Sequence, residues 1–259
     1  METDHKTIIR VEDVTVAFGD EVILEDINFD VKQGEIFIIL GGSGCGKSTL
    51  LKHMISLHTP AKGRVLIDGM DVAAAEEPEL NEILREIGVM YQHGALFGSM
   101  NLMDNICLVL DEFTDLPRAA METIALMKLK VVGLADSAYK MPSELSGGMK
   151  KRAAIARAMA LDPKILFLDE PSAGLDPITS AQLDDLILEL SRTLKITFVI
   201  VTHELPSIFA VADRVIMLDK ETKTIIATGT PTELRDQSDS PWVRQFFNRE
   251  PEQKQHRET

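Results

Sequence analysis

The chain has 259 residues, 45% of them hydrophobic, so it is long and apolar enough to bury a core and is not a disordered chain. Its net charge of −14 argues against a protein that coats DNA or RNA, because such proteins need Lys and Arg at the phosphates. The same charge would not draw the chain to anionic lipid, so we expect any membrane link to be a specific protein contact.

The cysteines and the N-terminus exclude further classes. Two cysteines and six scattered histidines form neither a disulfide framework nor a zinc site. The N-terminal segment METDHKTIIRVED lacks a signal-peptide pattern, and the longest apolar runs are too short to span a bilayer. We therefore expect a chain that is neither secreted nor embedded in a membrane by its own sequence.

In chain order, the first part alternates between short strands and turns. Turns are predicted at Phe18-Gly19-Asp20 and at Asp68-Gly69, and a helix is predicted from Lys47 to about Leu57. The predicted strands of this part are Ile8–Val11, Val14–Phe18, Ile27–Val31, Glu35–Leu40 and Arg64–Ile67.

From about Gln92 the pattern becomes mostly helical and rich in Met, Leu and Ala, and an alternation of strands and helices then returns. The later helices are predicted at Met149–Leu161 and Ser180–Leu194, and the later strands at Ile165–Leu168, Ile196–Thr202 and Arg214–Leu218. Such alternation predicts a mostly parallel sheet. We predict an α/β core over residues 1–91 and 162–230, a helical subdomain over 92–161, and a C-terminal extension over 231–259 whose end, from about Arg249, is disordered.

A phosphate-binding pattern lies between the fourth strand and the first helix. Gly41-Gly42-Ser43-Gly44-Cys45-Gly46-Lys47-Ser48 matches G-x-x-x-x-G-K-[ST], and Thr49 completes the predicted nucleotide-binding set. The glycines let backbone N–H groups turn toward phosphate oxygens at a helix N-terminus. Lys47 is predicted to bridge the β- and γ-phosphates and Ser48 to bind Mg²⁺. The flanking strand and helix disfavour the alternative, a glycine-rich turn without a ligand. The pattern alone does not separate kinases, GTPases and motors.

A second glycine pattern, Leu145-Ser146-Gly147-Gly148-Met149, opens a predicted helix. Ser146 is typical of an N-cap. Three basic residues, Lys150 to Arg152, follow in the first turn, where acidic residues are normally favoured. They suit an arriving anion, or they are simply solvated.

This second pattern, shortly before an apolar strand that ends in Asp-Glu, resembles the signature of ATP-binding-cassette (ABC) ATPases, and the resemblance covers nearly the whole chain. It implies a P-loop NTPase core with a mostly parallel sheet, an N-terminal antiparallel β subdomain and an inserted α-helical subdomain. In that family the signature binds the γ-phosphate of ATP held by the other subunit. Ser146, Gly147 and Gly148 are therefore implied to bind ATP across a dimer, with Mg²⁺ as the second cofactor.

The resemblance assigns further roles in chain order. Asp169 is implied to hold Mg²⁺ through water and Glu170 to polarise the attacking water, although such a pair can also be two exposed carboxylates. Gln92 is implied to touch Mg²⁺ and sense a permease. His203 is implied to contact the γ-phosphate, although a lone His at a strand end is usually structural. Phe18 lies where an aromatic stacks on adenine, but the family more often has Tyr there and a core Phe is the alternative.

Other segments resemble a narrower group, the ATPases of Mla-type lipid transport systems. These are Tyr91–Asn101, Met141–Arg152 (with Met149 where most ABC proteins have Gln), Gly174–Thr179 and Val243–Phe246. The resemblance implies a permease of the MlaE type, an MCE-domain protein across the membrane, a STAS-domain protein in some members, phospholipid cargo and the cytoplasmic face of the bacterial inner membrane.

Two alternatives stay open: the ATPase of another ABC importer or exporter, and a soluble iron–sulfur-assembly ATPase. A DNA-repair ATPase would carry a long coiled-coil insert or zinc modules, and a translation factor would carry two cassettes. The apolar residues Phe97, Met100, Leu102 and Met103 are predicted either to grip a segment of the permease or to fill the core of the helical subdomain.

Overall fold

The computed structural model describes residues 6–249, which form two β-sheets and the helices around them. The strands are β1 (Thr7–Phe18), β2 (Glu21–Lys32), β3 (Ile36–Gly41), β4 (Lys62–Ile67), β5 (Met70–Asp71), β6 (Ile87–Met90), β7 (Ile165–Asp169), β8 (Thr197–Val201), β9 (Arg214–Leu218) and β10 (Ile225–Gly229). The helices are α1 (Lys47–Met54), α2 (Glu79–Glu86), α3 (Leu102–Phe113), α4 (Arg118–Val131), α5 (Gly147–Ala158), α6 (Pro177–Leu194), α7 (Leu205–Val211), α8 (Pro231–Gln237) and α9 (Pro241–Asn248).

The larger sheet has the order β10-β9-β3-β8-β7-β6, and only β10 pairs antiparallel. Its central strands are buried on both faces, as their unbroken apolar sequences require. Along β3, Ile36, Ile38 and Leu40 face one hydrophobic cluster, whereas Phe37 and Ile39 face the other. The predicted parallel sheet is confirmed, and it brings the carboxyl ends of β3, β7 and β8 to one edge.

The smaller sheet is antiparallel with the order β2-β1-β4-β5. The two strands predicted at Ile8–Val11 and Val14–Phe18 are one strand, β1, because a register irregularity at the positive-φ residue Asp13 interrupts the alternation without ending the strand. The smaller sheet and the face of the larger sheet that carries Phe37 and Ile39 share a hydrophobic cluster, which includes Leu50 and Leu51 of α1. The N-terminal antiparallel unit of the predicted fold is thereby confirmed.

Between β6 and β7 the chain is helical. Leu102 and Met103 at the start of α3 are 1% and 3% exposed, so these two residues fill the core, whereas Phe97 is 51% exposed. The buried amide of Asn105 holds the segment before α3, because it accepts from the backbone N–H of Phe97 at 2.8 Å and donates to three backbone carbonyls of residues 97–101. The exposed ring of Phe97 therefore lies on a loop that the hydrogen bonds of Asn105 hold in place.

The C-terminal helices α8 and α9 pack on each other, and α9 buries Val243 and Phe247. The end predicted to be disordered begins at about Arg249, and its residues 250–259 lie outside the described residues. Within residues 6–249, no helix combines the length and the hydropathy needed to cross a membrane.

Candidate functional site

A pocket of about 580 Å³ opens at the carboxyl edge of the larger sheet. The phosphate loop forms one side, and Gln92, Glu170, His203 and Phe246 complete it. Parallel strands whose carboxyl ends meet at one edge bring these distant residues together. A larger cavity of about 800 Å³ lies at the opposite edge, beside Gly34 and Asp213, and contains none of the predicted site residues.

The phosphate loop has the backbone that its glycines predict. Gly44 and Gly46 adopt φ angles of +75° and +98°, and a Cβ on Gly46 would press on the side chains of Leu24 and Ile23 at 3.0 and 3.1 Å. Of the predicted residues from Gly41 to Thr49, all but Cys45 line the pocket. The Cys45 thiol is buried, and burial raises its pKa, so only the backbone of this residue can serve a ligand.

Lys47 is a buried cation at the start of α1. Its side chain Nζ donates to the carbonyls of Gly41 and Gly42 at 2.9 and 3.1 Å. Among residues 6–249, no carboxylate lies within ion-pair distance of this nitrogen. A buried charge without a counter-ion is costly, so the loop fits an anionic phosphate group.

Ser48 and Asp169 form an oxygen pair beside that cation. The Ser48 hydroxyl donates to Oδ1 of Asp169 at 2.9 Å, which joins α1 to the end of β7. Burial raises the pKa of the Asp169 carboxyl, and the neighbouring Glu170 charge adds to this, although the Ser48 hydrogen bond opposes it. Mg²⁺ prefers hard oxygen donors such as a hydroxyl and a carboxylate, and its charge would offset the cost of ionising the buried Asp169, so the pair fits this ion.

Glu170 and His203 are paired. Nδ1 of His203 lies 2.8 Å from Oε1 of Glu170, while Oε2 of Glu170 is buried and has no partner among the described residues. The Glu170 backbone has a positive φ of 48°, an uncommon conformation for a residue with a side chain. Such strain persists only where neighbours impose it, and the Glu170 N–H donates to the Val201 carbonyl at 2.8 Å. The carboxylate thus keeps one acceptor oxygen for a water molecule.

Lys151 supports the pocket by binding the backbone of Gln92 and Glu170, a role that the sequence did not predict. Its side chain is 7% exposed and donates to the backbone carbonyls of Gln92 and Glu170. Burial lowers its pKa. Within the basic cluster after the signature, Lys151 is therefore neither solvated nor open to an arriving anion; it fixes two pocket residues.

The signature lies elsewhere. Ser146 caps α5, since its hydroxyl accepts from the Met149 N–H at 3.3 Å, as an N-cap should. Ser146 and Gly147 are exposed, and neither they nor Gly148 line the pocket. One chain therefore does not bring the signature to its own phosphate loop.

Phe18 ends β1 and is 52% exposed, so the alternative of a core phenylalanine is wrong. Its ring packs edge-on against His58, with centroids 5.9 Å apart. Phe18 does not line the phosphate pocket. Phe246, in contrast, lines it from α9, and no pattern in the sequence near residue 246 indicated this contact.

A family model described as ABC transporter matches residues 24–173, which is more than half of the chain. The chain belongs to the ABC transporter family. It is an ATP-binding protein of that family, and the reaction it catalyses is ATP hydrolysis.

Curated relatives of this ABC ATPase align over most of its length. The phospholipid transport ATP-binding protein MlaF of Escherichia coli K12 is 40% identical over 96% of this chain and 91% of its own. A probable ribonucleotide transport ATP-binding protein, mkl of Mycobacterium leprae, is 44% identical over 93% of this chain, which spans 68% of that longer protein.

Solved structures give the same fold. The ABC ATPase superposes on the dimeric cassette MJ0796 bound to ADP and phosphate with a TM-score of 0.77 and 31% identity, over 86% of this chain and 98% of the other. It superposes on cbiO1 of Clostridium perfringens, part of the cbiONQ transporter, with a TM-score of 0.80 and 31% identity, over 89% and 91% of the two chains. The predicted ABC fold is confirmed.

Proposed function

We propose that this ABC ATPase works as a dimer around two ATP molecules and drives a membrane permease that moves phospholipid between membranes of the cell envelope. The observation that carries the catalytic part is the convergence in one pocket of a buried lysine, the Ser48 hydroxyl that is bonded to Asp169, and a carboxylate–histidine pair. The proposed cargo and partners are inferred from the similarity of this chain to its MlaF relatives.

Bound ATP and Mg²⁺ supply the γ-phosphoryl group and neutralise charge at the phosphates. In the proposal, Lys47 and the N–H groups of the phosphate loop hold those phosphates, and Ser48, Asp169 and Gln92 hold the ion. Glu170 accepts a hydrogen bond, and then the proton, of the attacking water at its free oxygen, while His203 fixes the other oxygen. The protein then contributes positioning and charge stabilisation, which is what phosphoryl transfer requires.

A dimer follows from the separation of the signature and the phosphate loop. The exposed Ser146 and Gly147 at the N-terminus of α5 leave backbone donors for a phosphate. Since Ser146, Gly147 and Gly148 lie outside their own chain's pocket, a second copy must supply them. Two copies would complete two sites, and the dimeric MJ0796 cassette supports this arrangement. Phe18 would stack on adenine at the open side of each site.

The cargo is proposed from the MlaF relatives, which align along nearly their whole length. The mycobacterial relative, a probable ribonucleotide transport protein, favours a ribonucleotide as the second candidate cargo. This chain, however, spans only 68% of that relative. The segments that resemble Mla-type ATPases also favour phospholipid.

The partners follow from the same kinship. We assign residues 92–161 to a helical subdomain that meets an MlaE-type permease, with an MCE-domain protein, and in some complexes a STAS-domain protein, completing the assembly at the cytoplasmic face of the inner membrane. The exposed ring of Phe97 and the half-buried Met100 are candidates for the permease contact. Phe97→Asp should abolish co-purification with the permease, whereas Leu116→Asp, at another exposed apolar residue of this region, should not. Co-purification that survives Phe97→Asp would remove this contact from the proposal.

A transport assay with reconstituted protein tests the whole proposed function. The ATPase and its permease are placed in phosphatidylglycerol and phosphatidylcholine vesicles, and the transfer of a fluorescent phospholipid is compared with the uptake of labelled ribonucleotide. We expect ATP-dependent phospholipid transfer that Glu170→Gln abolishes. ATP-dependent ribonucleotide uptake without phospholipid transfer would favour the second candidate.

A further inference from the structure

The C-terminal helix α9 contributes a wall of the nucleotide pocket. Phe246 lines the pocket together with the phosphate loop and His203, although nearly two hundred residues separate it from that loop. It is half-buried, so part of its ring faces the pocket space. No charged side chain of α9 lines this pocket.

Neighbouring aromatic residues hold the ring in place. Trp242 lies one turn earlier on α9 and stacks on Phe246, with centroids 6.0 Å apart and planes inclined by 28°. On the adjoining side of α9, Val243 and Phe247 are 0% and 3% exposed, which anchors the helix in the core. Phe246 is therefore a fixed part of the pocket and not a freely rotating surface side chain.

The same helix is packed against α7, the helix that follows His203 in the chain. Phe247 meets Phe209 of α7 edge-on, with centroids 5.9 Å apart. Helix α7 begins at Leu205, two residues after His203. Helix α9 thus lines the pocket directly through Phe246 and also packs on α7, which begins two residues after His203.

We propose that Phe246 is a positioning residue of the nucleotide site: its ring covers the phosphates of a bound nucleoside triphosphate and keeps water from that side. An apolar wall lowers the local dielectric and strengthens the attraction between Lys47 and the phosphates. The inference rests on the proposed function of the pocket and adds the C-terminal helix to it.

A pair of opposite charges at this position tests the proposal. Phe246→Glu and Phe246→Lys disturb apolar packing in similar ways, but they place opposite charges beside the phosphates. We expect the Kd for a non-hydrolysable ATP analogue with Mg²⁺, measured by calorimetry, to be higher in the Glu variant by at least about tenfold than in the Lys variant. Equal Kd values in the two variants would show that Phe246 is only structural and would overturn the proposal.

The matched control is Asn248, which is exposed and lies on the opposite face of the same helix. Asn248→Glu and Asn248→Lys should give Kd values within about twofold of each other, since their charges point away from the pocket. A charge effect of the same size at both positions would mean that the net charge of the protein, and not contact with Phe246, sets the affinity, and would also overturn the proposal.

A charge added after folding covers the case in which a charged variant does not fold. Cys45 and Cys107 are buried, so Phe246→Cys in the folded protein can be labelled selectively with a methanethiosulfonate reagent that carries either a sulfonate or a trimethylammonium group. The anionic label should weaken nucleotide binding and the cationic label should not; equal effects would contradict the proposal. Two controls separate a failure of this proposal from a failure of the proposed function. If the wild-type protein does not bind the ATP analogue, or if Lys47→Ala binds it as well as the wild type does, the assignment of the pocket as a nucleotide site is itself refuted.

Discussion

Asp184 on α6 is a buried carboxylate that we expect to destabilise the fold at neutral pH. It is 7% exposed, and its Oδ2 accepts one hydrogen bond, from the Ser207 hydroxyl at 2.9 Å. Burial raises the pKa of the Asp184 carboxyl from its ordinary 3.8 to about 6; the charge of Asp185 adds to this and Ser207 opposes it. Ionisation is therefore more costly in the folded protein than in the unfolded chain.

The sign and size of the effect follow from linkage. Below pH 4 both states hold the proton and Asp184 costs little; between pH 4 and 6 the unfolded chain ionises first, so stability is lost as the pH rises. Above pH 6 the cost is constant at about 3 kcal/mol. Asp184→Asn removes the charge, and its amide oxygen can still accept from Ser207, but its new N–H groups need partners. We expect a net gain of about 1–2 kcal/mol in the free energy of unfolding at pH 7.5.

Urea unfolding at constant ionic strength measures this difference. The advantage of Asp184→Asn over the wild type should shrink by about 2 kcal/mol between pH 7.5 and pH 4, whatever the amide costs, because the side chain at position 184 titrates only in the wild type. Asp185→Asn, at the exposed neighbour, should change stability by less than about 0.5 kcal/mol at pH 7.5. An advantage that does not change with pH would refute the reasoning.

Two further substitutions test the pocket and the packing beneath it. Lys47→Ala should weaken ATP binding roughly tenfold to hundredfold without lowering the melting temperature, since it removes a buried cation that has no carboxylate partner among residues 6–249; unchanged affinity in calorimetry would count against the phosphate loop. Gly88→Ala should cost about 3 kcal/mol in urea unfolding, because its Cβ would lie 2.1 Å from the Ala158 carbonyl oxygen. Gly98→Ala, with open space around it, is the control, and equal stability of the two variants would disprove the clash.

The parts of the fold that the sequence predicted are those with strong local patterns. Unbroken apolar runs predicted β3, β7 and β8, because strands buried on both faces need no alternation. The sequence did not predict β10, an antiparallel edge strand without a fully buried residue, or α7, which spans seven residues and begins next to Pro206. Short elements of this kind owe their form to the neighbours on which they pack and not to their own periodicity.

The residues of the candidate site likewise include some that the sequence could predict and some that it could not. Lys47 and Ser48 belong to a continuous pattern whose backbone geometry is local, so the sequence could predict them. The roles of Lys151, Asn105 and Phe246 depend on contacts with distant or differently folded segments. A lysine that binds two carbonyls has the same sequence appearance as a solvated one, and only the fold distinguishes them.

Glu170→Gln tests the central claim, that this pocket hydrolyses ATP with Glu170 acting on water, most directly. The amide oxygen can keep the contact with His203, but the side chain can no longer take a proton, so phosphate release should fall roughly a hundredfold or more. ATP affinity, measured by calorimetry on the same preparation, should stay close to that of the wild type, and ATP should hold the variant as a dimer in size-exclusion chromatography. Near-normal phosphate release by Glu170→Gln would contradict the account.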